Sequence, residues 1–356
     1  MNKMGFGFLR IPMDGGEVDY EKLNPLVDLA LERGCVYFDT AFAYLKGKSE
    51  EAIRKSLVER HDRSSFRIIN KLPGYKVKVP EDCRKLFDTQ LERCGVDFFD
   101  VYMLHWLNEK NYETAEKFQQ FAFLQELKRN GEVGRIGFSF HDTPAVLDRI
   151  LTEHPETDVV LLQINYLDWD SATIQSKLCY EVARKHGKTV FVMEPLKGGS
   201  LVQLPEPAAE LLPGTPASYG LRFAQSLDGV EVVLSGMNDR VQLEENLKDV
   251  EPVTPEEREL LCRVAEELNK SIAVPCTGCG YCISHCPKGI RIPEYFRIYN
   301  EYARNPKEGW KSQPAYRELM AQIPATDCIA CGSCEANCPQ KLHIIEHLKE
   351  LVGALN

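Results

Sequence analysis

The sequence contains no long hydrophobic run. Its longest apolar segments, such as residues 159–162, are far shorter than the roughly 20 residues that a membrane-spanning helix needs. The first residues lack the apolar core of a secretory signal peptide. An excess of positive charge is also absent, because the formal net charge of the 356 residues is -10, which disfavours binding to nucleic acid. We therefore expect a cytoplasmic protein without membrane or nucleic-acid partners.

A second absence is that of the phosphate-binding loop typical of open dinucleotide-binding sheets. Such sheets usually carry a G-x-G-x-x-G motif after the first strand, and the Gly-Phe-Gly at residues 5–7 does not continue into one. Short apolar segments instead alternate with helical patterns eight times. We predict strands at 4–9, 36–40, 66–71, 99–105, 135–140, 159–166, 189–194 and 230–235. We predict helices at 20–33, 49–60 (with Ser49 as N-cap), 80–94, 112–130, 144–152, 171–186, 217–225 and 241–248.

This alternation is of the α/β class and favours a (β/α)8 TIM barrel over a doubly wound open sheet. We expect the barrel to span residues 1–250 and a connecting helix to span residues 251–270. A small α-helical ferredoxin-like domain is expected at residues 271–356. Residues 201–216 contain four prolines and are predicted to form the loop after the seventh strand.

Four polar residues lie at the ends of the second, third and fourth predicted strands: Asp39 and Tyr44, Lys71, and His105. Function in such barrels is found at the C-terminal ends of the strands. A carboxylate buried there needs a partner, and Lys71 on the next strand is the natural partner for Asp39. A lysine beside Tyr44 lowers the pKa of its hydroxyl from about 10, which suits proton transfer to a carbonyl oxygen. The alternative is a structural ion pair beside an unrelated tyrosine and histidine.

The segment Asp39-Thr-Ala-Phe-Ala-Tyr44, with Lys71 and Tyr102-Met-Leu-His105, resembles the aldo-keto reductase family over residues 4–248. The resemblance implies that Tyr44 is the general acid/base, that Asp39 and Lys71 tune it, and that His105 positions a carbonyl substrate. It also implies a nicotinamide cofactor. Its carboxamide would contact Ser139 and Gln163. Its pyrophosphate and ribose would lie along the loops that contain Pro195, Leu196, Gly198 and Gly199, and Ser235, Gly236 and Asn246.

Three positions depart from the family pattern. Phe140 follows the strand-five serine where asparagine is usual, and Met193 stands where an aromatic ring usually stacks on the nicotinamide. Gln242 stands where an arginine often holds the 2′-phosphate. The sequence therefore leaves the choice between NADP and NAD open.

Thirteen cysteines are present, and eight of them form two C-x2-C-x2-C-x3-C-P motifs after residue 274. This spacing is typical of [4Fe–4S] clusters, in which the fourth cysteine of each motif ligates the other cluster. We therefore predict two [4Fe–4S] clusters. One is held by Cys276, Cys279, Cys282 and Cys338, and the other by Cys328, Cys331, Cys334 and Cys286. Structural zinc is the alternative. The remaining cysteines are predicted to be small buried apolar residues: Cys35, Cys83, Cys94, Cys179 and Cys262.

Helical spacing is also predicted at 293–302, 315–323 and 343–351, around the cysteine motifs. The two parts of the chain leave three functions open. The first is an NAD(P)H-dependent carbonyl reductase whose clusters exchange electrons with a redox partner protein. The second is such a reductase with purely structural clusters. The third is an electron-transfer protein in which the barrel is a docking scaffold. A nicotinamide moves two electrons and a cluster moves one, so direct exchange would need an intermediate such as a flavin.

Overall fold

In the computed structural model, which describes residues 3–248, 251–304 and 311–355, eight parallel strands close into a barrel. The strands are β1 (Met4–Gly7), β2 (Tyr37–Asp39), β3 (Arg67–Leu72), β4 (Phe99–Leu107), β5 (Val133–Phe140), β6 (Val159–Gln163), β7 (Thr189–Met193) and β8 (Val230–Ser235). Each strand pairs with the next along the chain, and β1 closes the barrel against β8. The predicted barrel is therefore confirmed in place of the open sheet.

Helices follow the strands and continue into the C-terminal part of the chain. They are α1 (Tyr20–Glu32), α2 (Lys48–Ile53), α3 (Glu81–Cys94), α4 (Glu109–Lys117), α5 (Gln120–Arg129), α6 (Pro144–Glu153), α7 (Ser176–Lys185), α8 (Glu206–Ala209), α9 (Pro216–Gln225), α10 (Arg240–Asn246), α11 (Pro255–Ser271), α12 (Tyr281–Ser284), α13 (Ile292–Arg304), α14 (Gln313–Gln322), α15 (Ser333–Ala336) and α16 (Ile344–Leu355). Within the described residues, no helix has both the length and the apolar composition needed to cross a bilayer.

Apolar side chains from the strands fill the barrel interior. The central cluster consists of Ile69, Val101, Met103, Val159, Leu161, Phe191, Val232 and Leu234, all buried. The strands are apolar on their outer face too, because the surrounding helices cover it. This rigid sheet fixes the positions of the polar residues at the strand ends.

Three predicted helix boundaries are wrong. The helix predicted at 171–186 begins only at Ser176, after Gln175, whose φ is 55°. Ser49 does not cap α2, because Gly47 precedes the helix with a φ of 94° and Ser49 lies inside it. The buried Ser49 hydroxyl instead lies 2.7 Å from Thr40 Oγ1 and donates to the Phe8 carbonyl oxygen at 3.0 Å. The predicted helix at 112–130 is broken into α4 and α5 by Gln119, whose φ of 54° ends the first helical hydrogen-bonding pattern.

The chain divides into two compact units. The barrel unit comprises Met1–Pro195 and Ala217–Val253, and the cysteine unit comprises Leu196–Pro216 and Thr254–Asn356. The segment after β7, expected to be a barrel loop, is thus grouped with the cysteine motifs and contains α8. The predicted barrel end at residue 250 lies outside the described residues. The connecting helix begins at Pro255, where a capping box between Thr254 and Glu257 starts α11.

The cysteine unit has its own hydrophobic core. It is formed mainly by α13, α14 and α16, and its fully buried members include Tyr295, Phe296 and Leu351. Several motif cysteines pack against this core while remaining partly exposed: Cys276, Cys286, Cys328 and Cys338. The predicted helices around the motifs are therefore present, within one to four residues of their expected bounds.

Candidate active site and candidate cluster sites

The ends of β2 and β3 carry a buried ion pair. Lys71 Nζ lies 2.5 Å from Asp39 Oδ1 and donates to the Thr40 carbonyl oxygen at 2.9 Å. In the pairing of β2 with β3, Asp39 lies opposite Ile69. Lys71 is two residues further along β3, so it lies on the same side of that strand as Ile69. Burial raises the pKa of Asp39 and lowers the pKa of Lys71, and the charge of each partner opposes the shift of the other.

Tyr44 lies at the start of a short 3-10 turn that follows β2. The next three residues, 45–47, all have left-handed backbone angles, with φ values of 50°, 59° and 94°. A leucine and a lysine rarely adopt this conformation, and such local strain is common at functional sites. Lys71 Nζ lies 5.0 Å from the centre of the Tyr44 ring. The strained turn thus brings the tyrosine to the buried ammonium group.

His105 lies on β4 where the register with β5 shifts, between Leu104 and Leu107. Its ring centre lies 5.9 Å from that of Tyr44, with the ring planes at 80°. Burial, followed by the charges of Lys71 and His141, lowers the pKa of His105 well below its usual value. The imidazole is therefore neutral near pH 7 and keeps one N–H donor. The structure thus brings together all four residues of the predicted catalytic set.

Aromatic side chains border His105. The ring of Tyr75 lies 6.2 Å from that of His105 and 6.0 Å from that of Trp106. Burial raises the pKa of Tyr75 to about 12, so its hydroxyl remains protonated. Asn111 donates to the Trp106 carbonyl oxygen at 2.7 Å and holds this segment in place. Tyr75 and Trp106 therefore lie beside the candidate catalytic set.

A buried network behind Lys71 was not predicted from the sequence. The carboxylate of Glu50, fully buried, accepts from Asn70 at 3.0 Å, Gln90 at 2.8 Å and Arg93 at 3.1 Å. Asn70 Oδ1 in turn accepts the backbone N–H of Lys71 at 2.8 Å. Gln90 donates to the carbonyl oxygen of Lys71 at 3.1 Å. The network therefore fixes the backbone of Lys71 on both sides and places a second negative charge near its ammonium group.

One signal for this network was available in the sequence. The buried face of α3 consists of Cys83, Phe87, Gln90 and Cys94, at helical spacing. A glutamine in the middle of an apolar helix face must find partners inside the protein. Its amide is satisfied by the network, and its Oε1 accepts the Tyr102 hydroxyl at 2.6 Å.

The ends of β5 and β6 carry neutral side chains. The hydroxyl of Ser139 accepts the backbone N–H of Trp106 at 2.7 Å, which leaves its own hydrogen to donate. Gln163 and Asn165 both donate to Asp168 Oδ2 at 2.7 Å. A carboxylate only accepts, so Asp168 fixes which way the Gln163 amide points: its nitrogen toward Asp168 and its oxygen away. Asp168 was not among the residues predicted from the sequence.

The residues predicted along the nucleotide are divided between the two units. Pro195, Ser235, Gly236 and Asn246 lie in the barrel unit. There Asn246 Nδ2 lies 3.5 Å from Ser235 Oγ, and Asp239 caps α10 by accepting the backbone N–H of Gln242 at 2.8 Å. Leu196, Gly198 and Gly199 belong to the cysteine unit. The nucleotide contacts remain predictions.

The two cysteine motifs fold in the same way. In each, two turn residues have left-handed angles: Gly278 and Gly280 in the first, and Ala330 and Gly332, 52 positions later, in the second. The short helices α12 and α15 that follow pack against each other. None of the eight motif cysteines is joined in a disulfide bond. Of the five other cysteines, four are buried as predicted, and the prediction for Cys262 is wrong because it is exposed.

The surroundings of Cys282 test whether the residues suit the predicted clusters. Burial raises the pKa of this thiol, and the nearby thiols that raise it further are, in order, Cys279, Cys276 and Cys338, then Cys334. The first three are the partners that the predicted ligand exchange assigns to Cys282. The order of these nearby thiols therefore agrees with the predicted ligand set.

Comparison with known proteins establishes the family. The aldo/keto reductase family model matches residues 3–209, and a model of the 4Fe-4S dicluster domain matches residues 275–343. Because the first match spans more than half of the 356 residues, the chain belongs to the aldo/keto reductase family. The recognition of both parts from the sequence is confirmed.

Relatives are between a quarter and a third identical to the chain over the aligned residues. The NADH-specific methylglyoxal reductase of Escherichia coli is 27% identical over 220 residues, which is 56% of this chain and 65% of that protein, just under two thirds. An aldo-keto reductase of Mycobacterium avium is 29% identical over 230 residues, 62% of this chain and 74% of that protein.

Solved structures share the fold. The holo form of an aldo-keto reductase from Bacillus halodurans has a TM-score of 0.59 at 23% identity, covering 74% of this chain and 91% of that one. An aldo-keto reductase from Klebsiella pneumoniae in complex with NADPH has a TM-score of 0.56 at 21% identity, covering 74% and 90%. Both support the barrel.

Proposed function

We propose that the chain is an NAD(P)H-dependent reductase of small-molecule carbonyl compounds, with Tyr44 as the general acid. The observation that carries this proposal is the buried pair of Asp39 and Lys71, with the ammonium 5.0 Å from the Tyr44 ring and His105 on the same rim. A structural ion pair alone would not require a tyrosine and a neutral histidine beside it. The family membership supports the same chemistry.

Each of the four residues has a role in moving one proton. Tyr44 gives its hydroxyl proton to the carbonyl oxygen as negative charge develops there. The ammonium group of Lys71 stabilises the tyrosinate that remains, and Asp39 holds the ammonium in place at 2.5 Å. His105 is neutral and donates an N–H to the same oxygen, which orients the carbonyl. In the reverse direction Tyr44 takes the proton back.

The neutral rim is proposed to bind the nicotinamide. Ser139 donates its hydroxyl hydrogen to the carboxamide oxygen, and Gln163 accepts an N–H of the carboxamide. When bound, the reduced nicotinamide supplies the hydride that the carbonyl carbon receives. The pyrophosphate and ribose are proposed to lie along Pro195, Ser235, Gly236 and Asn246. The relatives do not decide between the nucleotides, since one is named NADH-specific and another was solved with NADPH.

The cysteine unit is proposed to hold two [4Fe–4S] clusters in the ligand sets predicted above. When bound, the clusters supply one-electron transfer, which implies a redox partner protein. The thiols that hold them must stay reduced, so we propose a cytoplasmic location. The dicluster-domain match supports the presence of iron–sulfur ligation.

The test is carbonyl-dependent oxidation of NADH and NADPH by anaerobically purified protein, with methylglyoxal as the first substrate. We expect Tyr44→Phe to lower kcat by about 10²- to 10⁴-fold, the usual contribution of a general acid. Tyr37→Phe is the matched control, since its hydroxyl contacts Glu231 at the opposite end of β2. Turnover that survives Tyr44→Phe would remove Tyr44 from the proposed role.

A further inference from the structure

The residues that follow β7 contact the cysteine motifs within the cysteine unit. Lys197 is 2% exposed, and its Nζ donates to Gln340 Oε1 at 3.3 Å. Gln340 is itself buried, at 6% exposure, and stands two residues after Cys338. A lysine this deeply buried is uncommon, because its charge must be stabilised by groups inside the protein.

The next residue contacts a second part of the motifs. Gly198 has a φ of 63°, and a Cβ atom at this position would lie 2.2 Å from the carbonyl oxygen of Thr277. Only glycine permits so close an approach of the two backbones. Thr277 lies between Cys276 and Cys279 and is 4% exposed.

Both contacts involve the same predicted cluster. Cys276, Cys279 and Cys338 belong to one ligand set, together with Cys282. Within the part of the chain that the structure describes, the second motif has no such cover: Ile329, which corresponds to Thr277 after a shift of 52 residues, is 59% exposed. Lys197 and Gly198 therefore lie beside one of the two predicted cluster sites, and the residue that corresponds to Thr277 at the other site is exposed.

We propose that Lys197 and Gly198 form part of the site of the cluster held by Cys276, Cys279, Cys282 and Cys338, and that the Lys197 ammonium raises the reduction potential of that cluster. Reduction adds one negative charge to a cluster, and a buried cation nearby stabilises the added charge. The exposed site of the second motif has no equivalent cation among the contacts described. The inference rests on the proposed presence of clusters, and the predicted pyrophosphate contacts of Leu196, Gly198 and Gly199 stay predictions.

The test is a dithionite titration of the intact, iron-loaded protein followed by EPR. Each reduction step transfers one electron from dithionite to one cluster. We expect Lys197→Met and Lys197→Gln to shift one of the two steps to lower potential and to leave the other unchanged. Lys197→Arg keeps the charge and is expected to restore the native potential. Lys349→Met removes the same charge from an exposed position on α16 and is expected to shift neither step.

A second variant probes the backbone contact. Gly198→Ala should lower the iron content from about eight atoms per chain to about four. The added methyl group would push the backbone at Gly198 away from Thr277, which lies in the ligand loop between Cys276 and Cys279. Gly353→Ala, where an added Cβ meets nothing within 4 Å, is the control and should keep all the iron.

Three results would overturn the proposal, and they are distinguishable. Iron-loaded Lys197→Met protein with both potentials unchanged would contradict the inference alone. A rise in the KM for nucleotide with unchanged potentials would return Lys197 to the nucleotide site. Native protein purified without iron would contradict both the inference and the proposed clusters.

Discussion

The two halves of the barrel rim bury different kinds of side chain. The charged rim, at the ends of β2 to β4, consists of Asp39, Tyr44, Lys71 and His105. The neutral rim, at the ends of β5, β6 and β8 and on α10, consists of Ser139, Gln163, Ser235 and Asn246. All of these residues except the half-exposed Tyr44 are at least nine-tenths buried.

Under the proposed function, this difference separates the residues that transfer a proton from those that recognise the nucleotide. Charges on the first rim are balanced at close range, by an ion pair of 2.5 Å and by the buried carboxylate of Glu50 behind it. The second rim offers hydroxyl and amide groups whose orientation is fixed by other protein groups, such as Asp168 for Gln163. Fixed neutral groups suit an uncharged carboxamide, whereas a polarised charge pair suits a group that gains or loses a proton.

The largest expected effect comes from removing the cation of the charged rim. Lys71→Met should lower kcat by about 10²- to 10⁴-fold, because the tyrosinate loses its stabilising charge. Since the change leaves Asp39 buried without its partner, the double variant Asp39→Asn/Lys71→Met is measured beside it. Lys78→Met, in an exposed position on the loop after β3, is the control. Near-native kcat in the folded double variant would show that the rim is only structural.

The second effect concerns stability. Glu50→Gln should lower the free energy of unfolding by about 1–3 kcal/mol, because an amide nitrogen then faces the Arg93 donors inside the network. Urea unfolding measures the difference. The exposed neighbour Glu51→Gln should change the free energy by less than about 0.5 kcal/mol. Equal values for the two variants would mean that the network does not support the charged rim.

Substitutions that disturb the neutral rim should change nucleotide binding rather than the rate of the chemical step. Asp168→Asn removes the acceptor that orients Gln163, so we expect the KM for nucleotide to rise about tenfold, equivalent to about 1.4 kcal/mol, with kcat within about twofold. Steady-state kinetics with varied nucleotide separates the two constants. Asp170→Asn, exposed two residues further on, is the control. A fall in kcat at unchanged KM would contradict the division between the rims.

The last effect is a pH dependence of stability. The folded-state pKa of His105 is lowered, so below the unfolded value of about 6.5 the unfolded chain binds a proton that the folded chain does not. His105 therefore reduces stability as the pH falls below about 6.5, by at most about 1.4 kcal/mol per pH unit. His105→Gln should lose this part of the slope between pH 6.5 and 5. Identical slopes for native and variant protein would show that His105 titrates normally.

The charged rim was predictable because parallel strands align their ends. Once the alternation of strands and helices indicated a barrel, Asp39, Lys71 and His105 had to share one edge, and the structure places them there. The supporting residues were not predictable in the same way. Glu50 follows Ser49, which resembles a helix N-cap in the sequence. The left-handed turn at 45–47 comes just before the helix and directs Glu50 into the interior. That turn contains two residues, Leu45 and Lys46, that give no local signal for it.

In the cysteine unit, the motifs could be predicted from the sequence, but the segment at Lys197 and Gly198 that contacts them could not. Ligand spacing is a local property, so the two cysteine motifs were predictable from the repeat of 52 residues. The exchange of Cys286 and Cys338 between the clusters stays a prediction. The covering segment was not predictable, because Lys197 and Gly198 lie about 80 residues before the first motif and resemble a phosphate-binding loop. The close approach of Gly198 to Thr277 and the contact of Lys197 with Gln340 reveal which unit this segment joins.

The most direct test of the central claim follows the hydride itself. The protein is given nicotinamide nucleotide deuterated at C4, on each face in turn, with a carbonyl substrate under anaerobic conditions. If the charged rim protonates the oxygen while the nucleotide reduces the carbon, one deuterium from one of the two faces appears on the product carbon, and Tyr44→Phe slows its transfer by about 10²- to 10⁴-fold. Product that forms without deuterium from either face while the clusters change their redox state would mean that electrons reach the substrate one at a time, and would contradict the account.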